Sequence, residues 1–390
     1  MANTLTSLIN NVYAKITDAP KETRGVLDAI AMDVDNTPVD IGQPFVAPII
    51  AAKTSGAWAP RMYETAVGDQ TASTVTLTLA GVQTPFNLSD ADRANLLRSG
   101  YSNYESFFQQ NIQQACRANS GTVGAAALLA LKTGASRAVG IAGTTPFGED
   151  TKALEQALYE LKLNGASLAD LACVLSSSAW QNFRGLSIVQ QAMIAGSPDA
   201  RKTGMLSKES GFEMYEDFSI SAHTAGAMTG FQSDATLAAG ETTLTFDGGT
   251  VNSTGCVAGD TIKIGTGGGS GTGTDYDRQY VVNTGSTATS GSIVIGRPGL
   301  IVGRVDNDEI TIGASYTPSF AFSKSAFKAV VRPVACNVGG QVVGVAPIQD
   351  QYGLPAVLIE IRGTGMSVFA VAQAYGFKVF KGYGVITILG

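Results

Sequence analysis

The sequence predicts an α+β chain with a small antiparallel β-barrel inserted in its second half, and three observations predict it. Up to about residue 225, amphipathic helical stretches alternate with strand-like runs; between 226 and 315 helical sequence is absent and short β-runs recur; after 316 helix and strand chemistry like the earlier part resumes. The composition shifts with the pattern, because residues 226–315 hold 19 of the 46 glycines. Within that window Thr242–Phe246, Asp260–Ile264, Tyr280–Asn283, Ile293–Ile295 and Glu309–Ile312 read as strands. Turns such as Asp247-Gly248-Gly249 separate them, which is the signature of a small barrel and of a unit expected to fold independently.

The elements follow in chain order. Short helical stretches at 6–16 and 21–30 lead into a segment where Pro38, Pro44 and Pro48 enforce extended backbone and remove donors, so it is not a central strand. Ala57–Glu64 and Thr74–Val82 then read as the two strands of a long hairpin turning at 67–71. Ser89 is placed to cap a helix running to Arg98. Ser102 and Glu105 form a capping-box pattern ahead of a stripe of Tyr104, Phe107, Phe108, Ile112, Ala115 and Cys116. That helix is expected to continue to Leu131, with weak points at Gly121 and Gly124. A second helix spans 151–164 and ends at Gly165; a buried strand at 171–175 and a helix at 177–183 follow. Late in the chain, Val357–Arg362 and Val368–Phe380 are long strands, apolar on nearly both sides.

Composition excludes several classes. Thirty-two acidic against 26 basic residues leave a net charge of −6, with no basic excess to neutralise a phosphate backbone. Only 15% of residues are charged, against the usual quarter, which suits a surface buried against other subunits. The longest apolar run, 123–131, falls far short of the ~20 residues of a membrane span, and the first ten residues have no signal-peptide pattern. Cys116, Cys173, Cys256 and Cys336 are widely spaced, as expected of reduced, buried thiols.

Catalytic motifs are equally sparse. The one histidine, His223, has no carboxylate or cysteine at ligand spacing and reads as a residue without chemistry. The glycine-rich run 265–274 contains no lysine and no following helix, so it is a hairpin loop and not a phosphate cradle. Carboxylate pairs such as Glu216-Asp217 or Asp306 with Asp308 are the only candidates an enzyme could draw on. Solvated turns are the ordinary role of such pairs.

Five short motifs, taken in order and spacing, resemble one family. They are 82–92 (Val-Gln-Thr-Pro-Phe-Asn-Leu-Ser-Asp-Ala-Asp), 211–218 (Gly-Phe-Glu-Met-Tyr-Glu-Asp-Phe), 257–264 (Val-Ala-Gly-Asp-Thr-Ile-Lys-Ile), 322–327 (Phe-Ser-Lys-Ser-Ala-Phe) and Ala374-Tyr375-Gly376. With the sequence of arm, hairpin, long helix, insertion and late strands, they resemble the major capsid proteins of tailed bacteriophages. The pattern looks most like the coat proteins of short-tailed lambdoid phages, which carry an inserted β-barrel. The resemblance divides the chain into an N-terminal arm (1–52), an extended hairpin loop (53–88), a spine helix and peripheral domain (89–145), a first axial part (146–225), the inserted barrel (226–315), an axial return (316–355) and late peripheral strands (356–390).

The resemblance implies a structural protein, not an enzyme, with no cofactor and no metal. It implies hexamers and pentamers of an icosahedral shell around double-stranded DNA, a virion location after assembly in the host cytoplasm, and a scaffolding protein, a portal and decoration proteins as partners. Scaffolding is expected to be a separate protein, since the chain starts at Met1. Some relatives cross-link a hairpin lysine to an asparagine; here no lysine lies between Lys53 and Lys132 and no asparagine follows Asn337, so a noncovalent shell is expected. Trp58, Arg61, Tyr63 and Glu64 on the hairpin are the candidate contacts with a neighbouring subunit, because interfaces concentrate energy in aromatic and arginine anchors. Two alternatives stand beside this reading: an encapsulin-type nanocompartment, which shares the fold, and an enzyme with a β-rich substrate domain.

Overall fold

The computed structural model describes residues 22–50, 72–99, 101–186, 208–250, 254–265 and 278–390. The chain is a mixed α+β structure organised around one helix. Ser89 accepts a hydrogen bond from the Asp92 amide (3.1 Å) and so caps α2 (Asp90–Ser99), as its sequence predicts. After Gly100 the spine helix α3 runs unbroken from Tyr101 to Gly134, 34 residues and about 50 Å at 1.5 Å per residue. Ser102, read as its N-cap, lies already inside its first turn.

Gly121 and Gly124 do not weaken α3, because they make room. A Cβ on Gly121 would stand 3.2 Å from the Arg24 guanidinium, which lies across the helix there. Arg24 is held by Glu22 (2.8 Å), and Glu22 in turn pairs with Arg117 of α3. The helix α1 (Gly25–Ala29), expected at 21–30, follows directly; its Val26 amide donates to the buried Asp217 carboxylate at 3.0 Å.

The first half of α3 packs on a six-stranded sheet. Its centre is β19 (Met366–Val379), which takes β4 (Ala80–Ser89) along one side and β18 (Pro355–Gly363), then β16 (Phe327–Arg332), along the other. β17 (Val342–Gln349) and β1 (Met32–Val34) flank these. Alternate residues of β18 explain its two-sided apolar character: Ala356 and Leu358 face α3 with Phe108 and Ile112, while Val357 and Ile359 join a second cluster on the opposite face. Phe107, placed on the buried stripe by its spacing, is instead 43% exposed. Positions 104, 108, 112, 115 and 116 suffice to cover the sheet, and Phe107 falls on the flank of that arc.

The second half of α3 packs where this sheet meets another, in the order β5 (Arg137–Val139), β20 (Val385–Leu389), β15 (Pro318–Ser323), β6 (Leu171–Ser176), β8 (Phe212–Asp217), β7 (Lys208–Glu209). All six residues of β6 are buried: Leu171, Cys173 and Leu175 face α4 (Lys152–Leu163) and α5 (Ser177–Gly185), while Ala172 and Val174 face α1 and α3. Covered faces on both sides are what a continuous apolar run requires. Gly165, at φ +71°, ends α4 in a Schellman turn, with the Ala166 amide donating to Leu161 O and the Gly165 amide to Lys162 O.

Three assignments differ from the sequence reading. The partner of β3 (Ala72–Thr78) is β2 (Pro44–Ile50), drawn from the stretch read as arm; 57–64 lies outside the described residues. β16 and β17, placed in the axial return, belong to the six-stranded sheet with β18 and β19, while β20, placed among the peripheral strands, lies between β5 and β15. The chain crosses between sheets at 324–326 and again at 380–384, short polar and glycine-bearing links that leave no composition signal.

The insertion is a closed ring. β9 (Phe231–Ser233), β10 (Thr243–Asp247), β13 (Gly291–Ile295), β12 (Gln279–Thr284), β11 (Thr261–Ile264) and β14 (Glu309–Ile312) pair in that order, every pair antiparallel, and β14 returns to β9. Phe231, Leu244, Phe246, Ile262, Ile264, Tyr280, Val282, Ile293 and Ile310 fill its interior. The ring is not detached from the body: Gln279 and Tyr280 of β12 also pair with Ala138 and Arg137 of β5.

Candidate assembly surfaces and the barrel neck

The candidate contacts Trp58, Arg61, Tyr63 and Glu64 lie in 51–71, outside the described residues, but the strands on either side of that segment are described. β2 and β3 form a ribbon of seven residue pairs from Pro44↔Thr78 to Ile50↔Ala72. Among the described residues neither strand pairs with a third. Pro44 and Pro48 sit on β2, an edge position where a missing amide costs no ladder bond.

The ribbon is anchored at its base. Leu77 and Leu79 are buried against Val39, Val330 and Ala374, and they press on Gly376 of β19, where a Cβ would stand 3.0 Å from Leu79 and 3.1 Å from Leu77. Lys378 donates to the Thr76 carbonyl at 2.9 Å, and the Arg332 guanidinium lies over the Phe45 ring at 5.3 Å. Further along, Val46 is 58% exposed. A two-stranded ribbon with both outer edges open is marginal in water and needs a further surface to lie on.

Other exposed apolar residues went unread in the sequence. Ile141, 71% exposed, and Tyr159 line a groove of about 820 Å³ between the loop after β5 and helix α4. The available signal was an isoleucine between glycines in Gly140-Ile141-Ala142-Gly143. Three charges in this groove pair with one another: Glu160 meets Arg278 at 3.1 Å and Arg137 at 3.7 Å.

The carboxylate pairs are structural. Asp217 is fully buried and serves the Val26 amide and the Ser219 amide (2.8 Å), while Glu216 points to the other face of β8. Asp308 is buried in a turn, accepting from the Val305 amide at 3.1 Å, while Asp306 is exposed. Cys116, Cys173 and Cys256 are buried and Cys336 half-buried. Burial, with Asp350 adding, pushes the Cys116 thiol up to about 12, and burial with Asp260 does the same to Cys256, so neither supplies a thiolate near neutrality.

His223, by contrast, is not the isolated residue its sequence context suggests. It is 4% exposed and pairs by backbone with Tyr316 (2.7 Å) at the neck of the barrel. Its Nε2 stands 2.8 Å from Asp260 Oδ1, and its Nδ1 3.5 Å from Lys132 Nζ in the last turn of α3. Asp260 is fully buried and also accepts from the Gly226 and Val257 amides, at 3.0 and 2.8 Å. This one carboxylate therefore ties the chain entering the barrel to the turn before β11, within the motif 257–264. The separation of 37 positions between His223 and Asp260 hid the pair from spacing arguments.

No family model matches the sequence, and no curated protein matches it. Solved structures are similar over most of the chain. The capsid of cyanophage P-SCSP1u shares 11% identity, covering 95% of this chain and 89% of that one, at a TM-score of 0.48. The capsid of a native GTA particle shares 8% identity over 95% and 91%, at 0.45, and a Mycobacterium phage Che8 structure 13% over 89% and 84%, at 0.41.

Proposed function

We propose that this chain is a major capsid protein of a tailed bacteriophage, a non-enzymatic subunit that assembles with copies of itself into an icosahedral shell around double-stranded DNA. The carrying observation is the β2–β3 ribbon: an anchored base, a β-ladder with no third strand among the described residues, and exposed apolar surface beyond the base. Such an element is completed by a neighbouring subunit. The order of arm, ribbon, spine helix, closed barrel insertion and returning strands supports the same reading, as does a surface poor in charge. Net negative charge suits an inner wall past which DNA slides. A scaffolding protein, a portal and decoration proteins are the proposed partners during assembly in the host cytoplasm. Electron microscopy of the purified protein tests the reading: shells of uniform diameter are expected, and a uniformly monomeric, non-assembling protein counts against it.

Within this reading Trp58, Arg61, Tyr63 and Glu64 contact the neighbouring subunit, with Arg61 meeting a carboxylate there. Arg61→Glu then places like charges together. An exposed pair is worth only ~0–1 kcal/mol, yet a closed shell repeats each contact many times. Folded monomers that fail to assemble are the expected result; a normal yield of shells removes Arg61 from the interface.

A further inference from the structure

We propose that His223 is a proton-operated latch between the inserted barrel and the end of the spine helix. Lys132 offers only N–H donors, so the Nδ1 facing it at 3.5 Å accepts, and Nε2 carries the imidazole proton and donates to Asp260 Oδ1 at 2.8 Å. The neutral ring thereby ties the barrel's Asp260 to Lys132 of α3. Adding a proton puts an N–H on Nδ1, directed at an ammonium. The bond to Asp260 survives, and even gains charge, while the bond to Lys132 is replaced by repulsion. Protonation therefore frees the helix end from the neck and leaves the neck itself fastened.

The surroundings isolate this response. Facing His223 are Lys132 from α3, Asp260 from the barrel and Tyr316 from the segment before β15, with Cys256 of the barrel against Asp260. Burial raises the Tyr316 phenol and the Cys256 thiol, so neither ionises in the range where histidine titrates. Burial lowers Lys132, with Asp260 opposing, so its ammonium is held at a cost before any second cation arrives. An exit exists: Lys132 lines a cavity of about 200 Å³ with Leu128, Leu129, Ser221 and Phe320.

Because the chain contains one histidine, tag-free protein labelled with ¹⁵N-histidine gives a single imidazole to follow. Its ring nitrogens report the tautomer of the neutral ring, expected to be Nε2–H, and the appearance of the imidazolium on acidification. Amide exchange at the end of α3, corrected for intrinsic rate, should quicken about tenfold across that change, the factor of one pKa unit's worth of free energy, while the Gly226 amide, held by Asp260, keeps its rate. His223→Gln keeps a donor for Asp260 and an acceptor for Lys132 without titrating, so its exchange step should vanish. Lys132→Met should lose the step while its imidazole still titrates, and it decides the matter if the glutamine variant does not fold. A neutral ring carrying its proton on Nδ1, no exchange step on acidification, or an unchanged step in either variant overturns the latch.

Discussion

Phe108→Ala is expected to cost about 3–5 kcal/mol of subunit stability, the range for emptying a buried aromatic site. The ring is 1% exposed and sits at the centre of the contact between α3 and the six-stranded sheet. It meets Phe369 edge-on at 4.7 Å and Phe86 at 5.7 Å, and stacks on Tyr104 at 6.2 Å, with Ile112, Leu358 and Val371 in the same cluster. These neighbours come from a helix and three paired strands, which limits how far they can collapse into the gap. Phe107 is the internal control: one residue away on the same helix but 43% exposed, it should cost under about 1 kcal/mol when cut to alanine, near the range of surface substitutions. Urea denaturation of unassembled subunits, followed by circular dichroism, makes the comparison. Equal losses for the two variants would show that the helix buries a different face.

The contrast between these two residues shows where the sequence was legible. Helical period fixed the direction of α3 and most of its buried stripe, because the stripe must match a continuous apolar sheet. It could not decide Phe107, which lies at the border of the arc, where the width of the covering sheet rules. The barrel was legible strand by strand, since its glycine-rich turns and β-runs are local features. Its first strand, β9 (Phe231–Ser233), is too short to show a period. β20 is five buried residues with no alternation, and nothing local says that it pairs with β5 from far back in the chain. Partner choice was the general blind spot: β3 was matched with the nearer run 57–64, while the fold pairs it with 44–50. The same blindness hid the pairing of His223 with Asp260, although each residue stood inside a segment already singled out. Long-range contacts are a property of topology, and period-two and 3.6 patterns carry no information about them.

Asp260→Ala should have an effect as large as the core truncation, through a different cause. The carboxylate is fully buried, and its two oxygens receive the Gly226 amide at 3.0 and 3.2 Å, the Val257 amide at 2.8 Å and the His223 Nε2–H at 2.8 Å. Each buried donor left without an acceptor costs about 1–3 kcal/mol, and removing one member of a buried charged network typically costs about 3–5 kcal/mol. Asparagine is no remedy. Its amide would turn an N–H₂ group toward donors on one side or the other, so Asp260→Asn should approach the alanine value. The damage should be local, because Gly226 and His223 stand where the chain enters the insertion and Val257 lies in the turn before β11. The barrel interior itself contains none of these groups. Both tryptophans, Trp58 and Trp180, lie outside 226–315, so indole fluorescence does not report the barrel. Limited proteolysis with mass spectrometry does. Cleavage within 226–315 should appear at urea concentrations where Trp180, on α5 and in the same buried cluster as β6, still reads native. Protection of the barrel equal to that of the unsubstituted chain would mean that the neck is held by the β5–β12 pairing, and that Asp260 is dispensable.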